Sequence, residues 1–251
     1  MSLSPILKAL SLIRTSGVRT LLMGGQACVF YGAAEFSRDL DLLVPADAAS
    51  LDLLRKGLDL VGAEAIAVPT LDGALLERGH AVHFRCRRDE VTGLRIDVMP
   101  TLRGVDGFEP LWARRTTILV DGIEVDMLSM QDLVCAKKTQ RDKDWPMIRR
   151  LLEQAYFSWP APLGEERIEY LLREVRSSEL LPELVRSYPE AAERVALARL
   201  AVRHAVDGNA NGVALALAAE EAIERAKDRI YWEPLKRELE QFRRERRNTI
   251  D

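Results

Sequence analysis

Residues 21–44 read LLMGGQACVFYGAAEFSRDLDLLV, and this stretch decides the fold. Val18 to Met23 is short, β-rich and stopped by Gly24 and Gly25, the pattern of a buried strand running into a tight turn. Gln26 to Gly32 predicts a helix opening from that turn, and Leu40 to Val44 predicts a second strand ended by Pro45. Asp39 and Asp41 lie two apart, so a strand projects both carboxylates from one face at its start. Leu40, Leu42, Leu43 and Val44 surround them, and like charges at the edge of a core are costly unless a cation neutralises them. A hard divalent cation such as Mg²⁺ is the natural partner of such oxygen donors. Taken alone, the pair reads equally well as a turn cap at Asp39 and a solvated Asp41.

Working outward, Ile6 to Ile13 predicts a short amphipathic helix, and Asp47 is a fair N-cap for a helix over about 48–61. Strands are expected at 81–86, 94–99, 117–120 and 123–126, the last two joined through Asp121-Gly122, a strong hairpin signal. After Leu128 only helices are legible, over 131–140, 145–156, 165–175, 190–206 and 213–247. Mixed strands and helices followed by helices alone predict an α+β chain, with a mixed-sheet domain over 1–128 and an appended all-helical domain over 129–251.

Asp97 interrupts the strand-like run LRIDVMP between Ile96 and Val98, where a lone acid is unfavourable unless its face carries function or solvent. Neighbouring strands could bring it beside Asp39 and Asp41. Three carboxylates at one sheet edge can hold two metal ions about 4 Å apart, activating an attacking oxygen and neutralising a leaving phosphate. Gly24 and Gly25 would leave backbone N–H groups open to a phosphate at a helix start. The turn is neither a Walker A loop nor a G-x-G-x-x-G fingerprint.

Gly24-Gly25, then Asp39-Leu40-Asp41, then Asp97, resembles the signature of the nucleotidyltransferase superfamily related to DNA polymerase β. The stretch LSMQDLVCAKKTQRDKDWPMIRRLL, with Lys137 and then Arg141, Lys143 and Asp144, is similar to the bacterial branch of abortive-infection and type IV toxin nucleotidyltransferases. The resemblance covers about residues 18–155. It implies Mg²⁺, or Mn²⁺ in its place, on Asp39, Asp41 and Asp97, and a nucleoside triphosphate held by Gly24, Gly25, Ser37, Arg38, Lys137 and Asp144. Members often carry a basic residue and a threonine just before the first aspartate, whereas here Glu35 and Ser37 stand near those places and Arg38 adjoins the aspartate.

The chain has 251 residues, with 36 basic and 39 acidic side chains, and only three histidines and three cysteines. Imidazole or thiolate clusters therefore have little material, and carboxylates are the abundant reagent. Residues 1–128 carry 14 basic and 17 acidic residues, while 137–150 alone carry six basic against two acidic. A local basic segment facing an acidic site suits a metal-bound triphosphate better than a long nucleic acid. No apolar run approaches the roughly 18 residues of a spanning helix, and the opening residues lack signal-peptide character, which favours the cytoplasm. The expected function is transfer of a nucleoside monophosphate to an acceptor hydroxyl on a small molecule, tRNA or protein. The alternative is a degenerate member that binds nucleotide or an antitoxin-like protein without catalysis.

Overall fold

The computed structural model describes residues 3–250. Residues 1, 2 and 251, at the outer ends of the two expected domains, lie outside it. The chain forms two compact units, Met1–Ala136 with Ile230–Asp251, and Lys137–Arg229. The boundary expected near 128 thus falls inside the first unit, and the last helix returns to that unit from Ile230 onward.

The first unit opens with α1 (Pro5–Thr15), whose Ser4 side chain accepts from the Leu7 backbone N–H and whose Pro5 supplies a preset φ at the first helical position. Leu7, Leu10 and Ile13 form its buried stripe. Then come β1 (Leu21–Met23), α2 (Gly24–Phe30), β2 (Asp39–Leu43), α3 (Ala48–Leu60), β3 (Ala63–Ala65), α4 (Gly73–Glu77), β4 (Val82–Cys86), β5 (Arg95–Met99), α5 (Phe108–Ala113), β6 (Thr116–Val120), β7 (Ile123–Met127) and α6 (Met130–Ala136). Asp47 caps α3 by accepting from the Ser50 N–H at 3.0 Å. Asp121 and Gly122 both take positive φ in the β6–β7 turn, as a two-residue hairpin demands.

The strands make one seven-stranded mixed sheet in the order β3-β4-β5-β2-β1-β7-β6. β2 runs antiparallel to β1 and parallel to β5, with Leu40 opposite Ile96, Asp41 opposite Asp97 and Leu42 opposite Val98. Leu40, Leu42, Ile96 and Val98 are fully buried, each contributing about 1.5–3 kcal/mol relative to exposure. The alternate residues Asp39, Asp41, Arg95, Asp97 and Met99 are only half-buried, so the sheet has one packed face and, up to Leu43, one more open face in this region. That alternation sets the site.

The second unit holds α7 (Asp144–Ser158), α8 (Glu165–Glu174), α9 (Leu180–Ser187), α10 (Pro189–Ala196), α11 (Leu200–Val206) and the start of α12 (Ala210–Ile250). The single helix expected over 190–206 is two. The break is at Arg199, which is extended and sends its guanidinium to the carbonyls of Leu172 and Val175 at 2.6 and 2.7 Å, caring for backbone acceptors at the end of α8. Short β3, α4, α5 and α9 were not among the expected elements. Among the described residues no helix is long and apolar enough to cross a membrane.

Candidate active site

Gly24 begins α2 with φ +68, a conformation that suits glycine. Space decides the position as firmly: a Cβ there would stand 2.8 Å from the Asp41 Cβ and closer still to its carboxyl group. A Cβ on Gly25 would come within 2.7 Å of Ser37 Oγ. The two glycines therefore let the turn lie directly against Asp41 and Ser37. Ser37 in turn donates its hydroxyl to the Asp39 carbonyl at 3.2 Å, fixing the entry to β2. Gly24, Gly25, Ser37, Asp39 and Asp41 are thus brought together by the β1–α2 turn and the first residues of β2. Arg38 is exposed and lies over the Phe36 ring at 5.9 Å. Glu35 is exposed as well. Because α2 has only seven residues, its dipole is small; closeness of bare backbone is what the turn offers.

Asp97 comes to the same place through sheet register. Its Cα partner across the parallel β2–β5 ladder is Asp41, and the partner of Asp39 is Arg95. Paired residues in a ladder point to one face, and Asp39 and Asp41 share it by their spacing of two. Antiparallel pairing with β4 adds His83, opposite Asp97, and Arg85, opposite Arg95. Three carboxylates, two arginines and a histidine therefore occupy one half-open sheet face.

Arg95 and His83 are engaged with Asp97. Asp97 Oδ1 accepts from Arg95 Nε at 2.7 Å and lies 2.9 Å from His83 Nδ1. Arg95 Nη2 is 3.2 Å from that same imidazole nitrogen. In one tautomer His83 Nδ1–H donates to Asp97, and in the other the bare nitrogen accepts from Arg95. Burial pushes the Asp97 carboxyl up, yet the hydrogen bonds and charges of His83 and Arg95 outweigh it and hold the group below its ordinary range. The Arg95 guanidinium is raised, first by its hydrogen bond to Asp97 against the opposing effect of burial, and further by the charges of Asp97, Asp39 and Asp41. Arg95 is thus an internal counter-cation for all three aspartates.

In donor type, Asp39, Asp41 and Asp97 fit a hard divalent cation, and the cradle at Gly24 holds Asp41 in place. Among the described residues, no three His, Cys, Asp or Glu side chains converge closely enough to hold a metal ion.

Lys137 and Asp144 lie in the helical unit, and their chemistry differs from the expectation. The helix containing Lys137 was expected to run to 140, but α6 ends at Ala136. Lys137 Nζ donates to Asp144 Oδ1 at 2.9 Å, with 7% of the lysine side chain and none of the aspartate side chain exposed. Thr139 Oγ1 and Arg141 Nε donate to Asp144 Oδ2 at 2.6 and 2.7 Å. Burial pushes Asp144 up, but the Lys137 and Arg141 charges and the hydrogen bonds bring it below its usual value. This closed knot fixes the 137–144 segment and offers a ligand no accessible surface at Asp144. The sequence reading missed Arg95, Arg85 and the role of His83; the period-two spacing of Arg95 and Asp97 was the available signal.

No family model matches the chain, and no curated protein matches it. Among solved structures, an antigenic nucleotidyltransferase-like protein from Paracoccidioides brasiliensis is similar at 16% identity and a TM-score of 0.42, over 75% of this chain and 88% of the other. A candidate nucleotidyltransferase from H. pylori is similar at 13% identity and a TM-score of 0.40, over 90% of this chain and 97% of the other. The chemistry of the site follows from this chain's own residues.

Proposed function

We propose that this protein is a Mg²⁺-dependent nucleotidyltransferase, with Mn²⁺ as a substitute ion, of the kind expected from the abortive-infection and type IV toxin branch. The observation that carries the proposal is the register of Asp41 with Asp97 and the spacing of Asp39 from Asp41, which gather three acids beside a bare glycine turn. Like charges gathered on one face are destabilising unless cations offset them, so such a cluster suits a site that receives a metal. Asp39, Asp41 and Asp97 would hold the metal, which supplies neutralisation of the triphosphate charge.

Gly24 and Gly25 leave room for the triphosphate, Ser37 and Arg38 supply donors beside it, and Arg95 and Arg85 add positive charge on the same face. Asp97, ionised at neutral pH, orients the acceptor hydroxyl. The acceptor oxygen attacks the α-phosphorus, its proton passing to solvent; the bond to the β-phosphate breaks, and its electron pair leaves with pyrophosphate. Catalysis of this kind is positioning and charge stabilisation. In this proposal Lys137 and Asp144 hold the 137–144 segment in shape. The acceptor is a hydroxyl on a small molecule, tRNA or protein, and an antitoxin-like protein is the expected regulator.

A second reading draws on the Asp97–Arg95 pair: a site that neutralises its own third carboxylate binds nucleotide or a partner without turnover. Binding of labelled nucleoside triphosphates with Mg²⁺, followed by assay for pyrophosphate, separates the two. The transferase reading expects binding and pyrophosphate release that are both lost in Asp39→Ala and Asp41→Ala. Nucleotide binding that persists unchanged in those variants, with no pyrophosphate, selects the second reading.

A further inference from the structure

The two edges of the sheet are built differently. β3 is three residues long and carries Glu64 at its middle, the short and charged form in which edges are protected from further pairing. β6, at the other edge, reads TTILV: five β-favouring residues with no charge, proline or glycine, matched residue for residue with β7 and so without a bulge to turn it away. Every residue of β6 is half-buried or exposed, and Leu119 is 71% exposed. A long uncharged edge with an apolar side chain in solvent is a template for another strand.

The turn fixes which backbone groups face outward. Asp121 and Gly122 connect Val120 to Ile123, so those two residues close the hairpin as a hydrogen-bonded pair. Such pairs alternate along an antiparallel ladder, which turns Thr116, Ile118 and Val120 toward β7 and directs the N–H and C=O of Thr117 and Leu119 to the open edge. The strand also has unlike ends. Arg115 stands just before it, held by Asp126 and by the Trp112 carbonyl, each at 2.8 Å, and Asp126 answers Arg14 as well. The exposed Asp121 stands just after it.

We propose that β6 pairs antiparallel with β6 of a second copy of this chain, about a twofold axis at Ile118, joining the two sheets into one. In that register Thr117 lies opposite the partner's Leu119, and each donates its outward N–H to the carbonyl of the other. Leu119 packs against the partner's Thr117, a cross-strand pair that covers apolar surface. At each end Arg115 comes opposite the partner's Asp121, so the charges match as well as the hydrogen bonds. A shift of one residue would set Thr117 against the partner's Ile118, whose groups are engaged with β7, and would part Arg115 from the partner's Asp121. This self-complementarity is what selects a second copy over a foreign strand. The pairing is independent of the chemistry proposed at β2 and β5 and stands if the transferase reading fails.

Sedimentation equilibrium of the full chain tests it. Wild type is expected at twice the mass of one chain, falling to the single-chain mass on dilution. Thr117→Pro removes an outward N–H without touching the ladder to β7, and Leu119→Lys puts a charge on the edge; each should leave a monomer with the circular dichroism of wild type. Asp121→Asn keeps a residue that tolerates the left-handed turn but removes its charge, and should weaken the dimer several-fold in low salt. Ile118→Cys tests the register: its Cα atoms would stand about 4.5 Å apart across the axis, within disulfide reach. Mild oxidation should give a covalent dimer there, and none for Leu119→Cys, with wild type as the control for the native cysteines. A wild type that is monomeric at every concentration overturns the proposal and leaves the edge to an extended strand of another protein. A dimer that persists in Leu119→Lys overturns it too, as does cross-linking of Leu119→Cys in place of Ile118→Cys. Should Thr117→Pro fail to fold, Leu119→Lys decides, because its side chain lies in solvent.

Discussion

The open face of β2 and β5 and the closed knot at 137–144 both set aspartates against basic side chains, and they differ in water. Asp144 is wholly buried, with three donors around one carboxylate. On the sheet face Asp97 is engaged by Arg95 and His83, and the Arg95 side chain, whose charge also acts on Asp39 and Asp41, is 38% exposed. In the knot every charge is answered, so its logic is complete within the fold. On the sheet three acids gather by register and spacing on one half-open face, and that gathering of like charge is the part that local folding does not explain. The difference teaches that Asp144, sealed and fully paired, serves the fold, whereas the acids gathered on the half-open sheet face are the ones on which the proposed chemistry rests.

Lys137→Met gives the largest break. It strands Asp144 in the core with one cation fewer, and removing one partner of a buried pair costs about 3–5 kcal/mol. Urea denaturation followed by circular dichroism should show that loss. A change below about 1 kcal/mol would mean that Arg141 alone satisfies the buried charge, and the contrast between the regions would weaken.

Gly24→Ala acts on the other region and more gently. A left-handed non-glycine residue costs about 1–3 kcal/mol, and here the new methyl also pushes on the Asp41 carboxyl. The expected result is a modest stability loss by denaturation with a disproportionate fall in Mg²⁺-dependent nucleotide binding. Equal binding by the variant would show that the turn does not set the Asp41 position.

Much of this was legible in the sequence because the controlling interactions are local. The Asp39–Asp41 face follows from strand periodicity, the Gly24-Gly25 turn from what only glycine tolerates, the Asp121-Gly122 hairpin and Asp47 cap from short-range chemistry. What escaped depends on register between distant segments. Arg95 could be seen near Asp97, but its hold on Asp39 and Asp41 exists only because β2 and β5 pair in parallel. Lys137 looked like a helix residue because nothing local announces that α6 stops at Ala136 and that the chain turns to bury Asp144. Similarly, Arg199 breaks an otherwise continuous helical pattern through carbonyls more than twenty residues away. The return of the chain's last helix to the first unit rests on contacts such as His80 with Glu238 at 2.5 Å, which no periodicity forecasts.

The smallest effect, and the finest test of the contrast, is the acid limb of stability. Asp97 and Asp144 both have folded-state carboxyls held below their ordinary value of 3.8. The unfolded chain therefore binds protons at a higher pH than the folded one, so each group contributes stability that is complete above about pH 5 and is lost as pH falls through the lower, folded value. Stability should be flat between pH 7 and 5 and decline below about pH 4. Arg95→Gln separates the two contributions: it removes a hydrogen bond and a charge from Asp97 while burial still pushes that carboxyl up, so the Asp97 share of the acid limb shrinks and the Asp144 share stays. Salt should mimic part of this, because the half-exposed Arg95 is screened and the buried Lys137 is not. Urea midpoints measured from pH 7 to 2, in low and high salt, should give a shallower and less salt-sensitive limb for Arg95→Gln than for wild type. Parallel curves would mean that Arg95 does not hold the Asp97 proton off, and the sheet face would lose the counter-cation that distinguishes it from a bare cluster of acids.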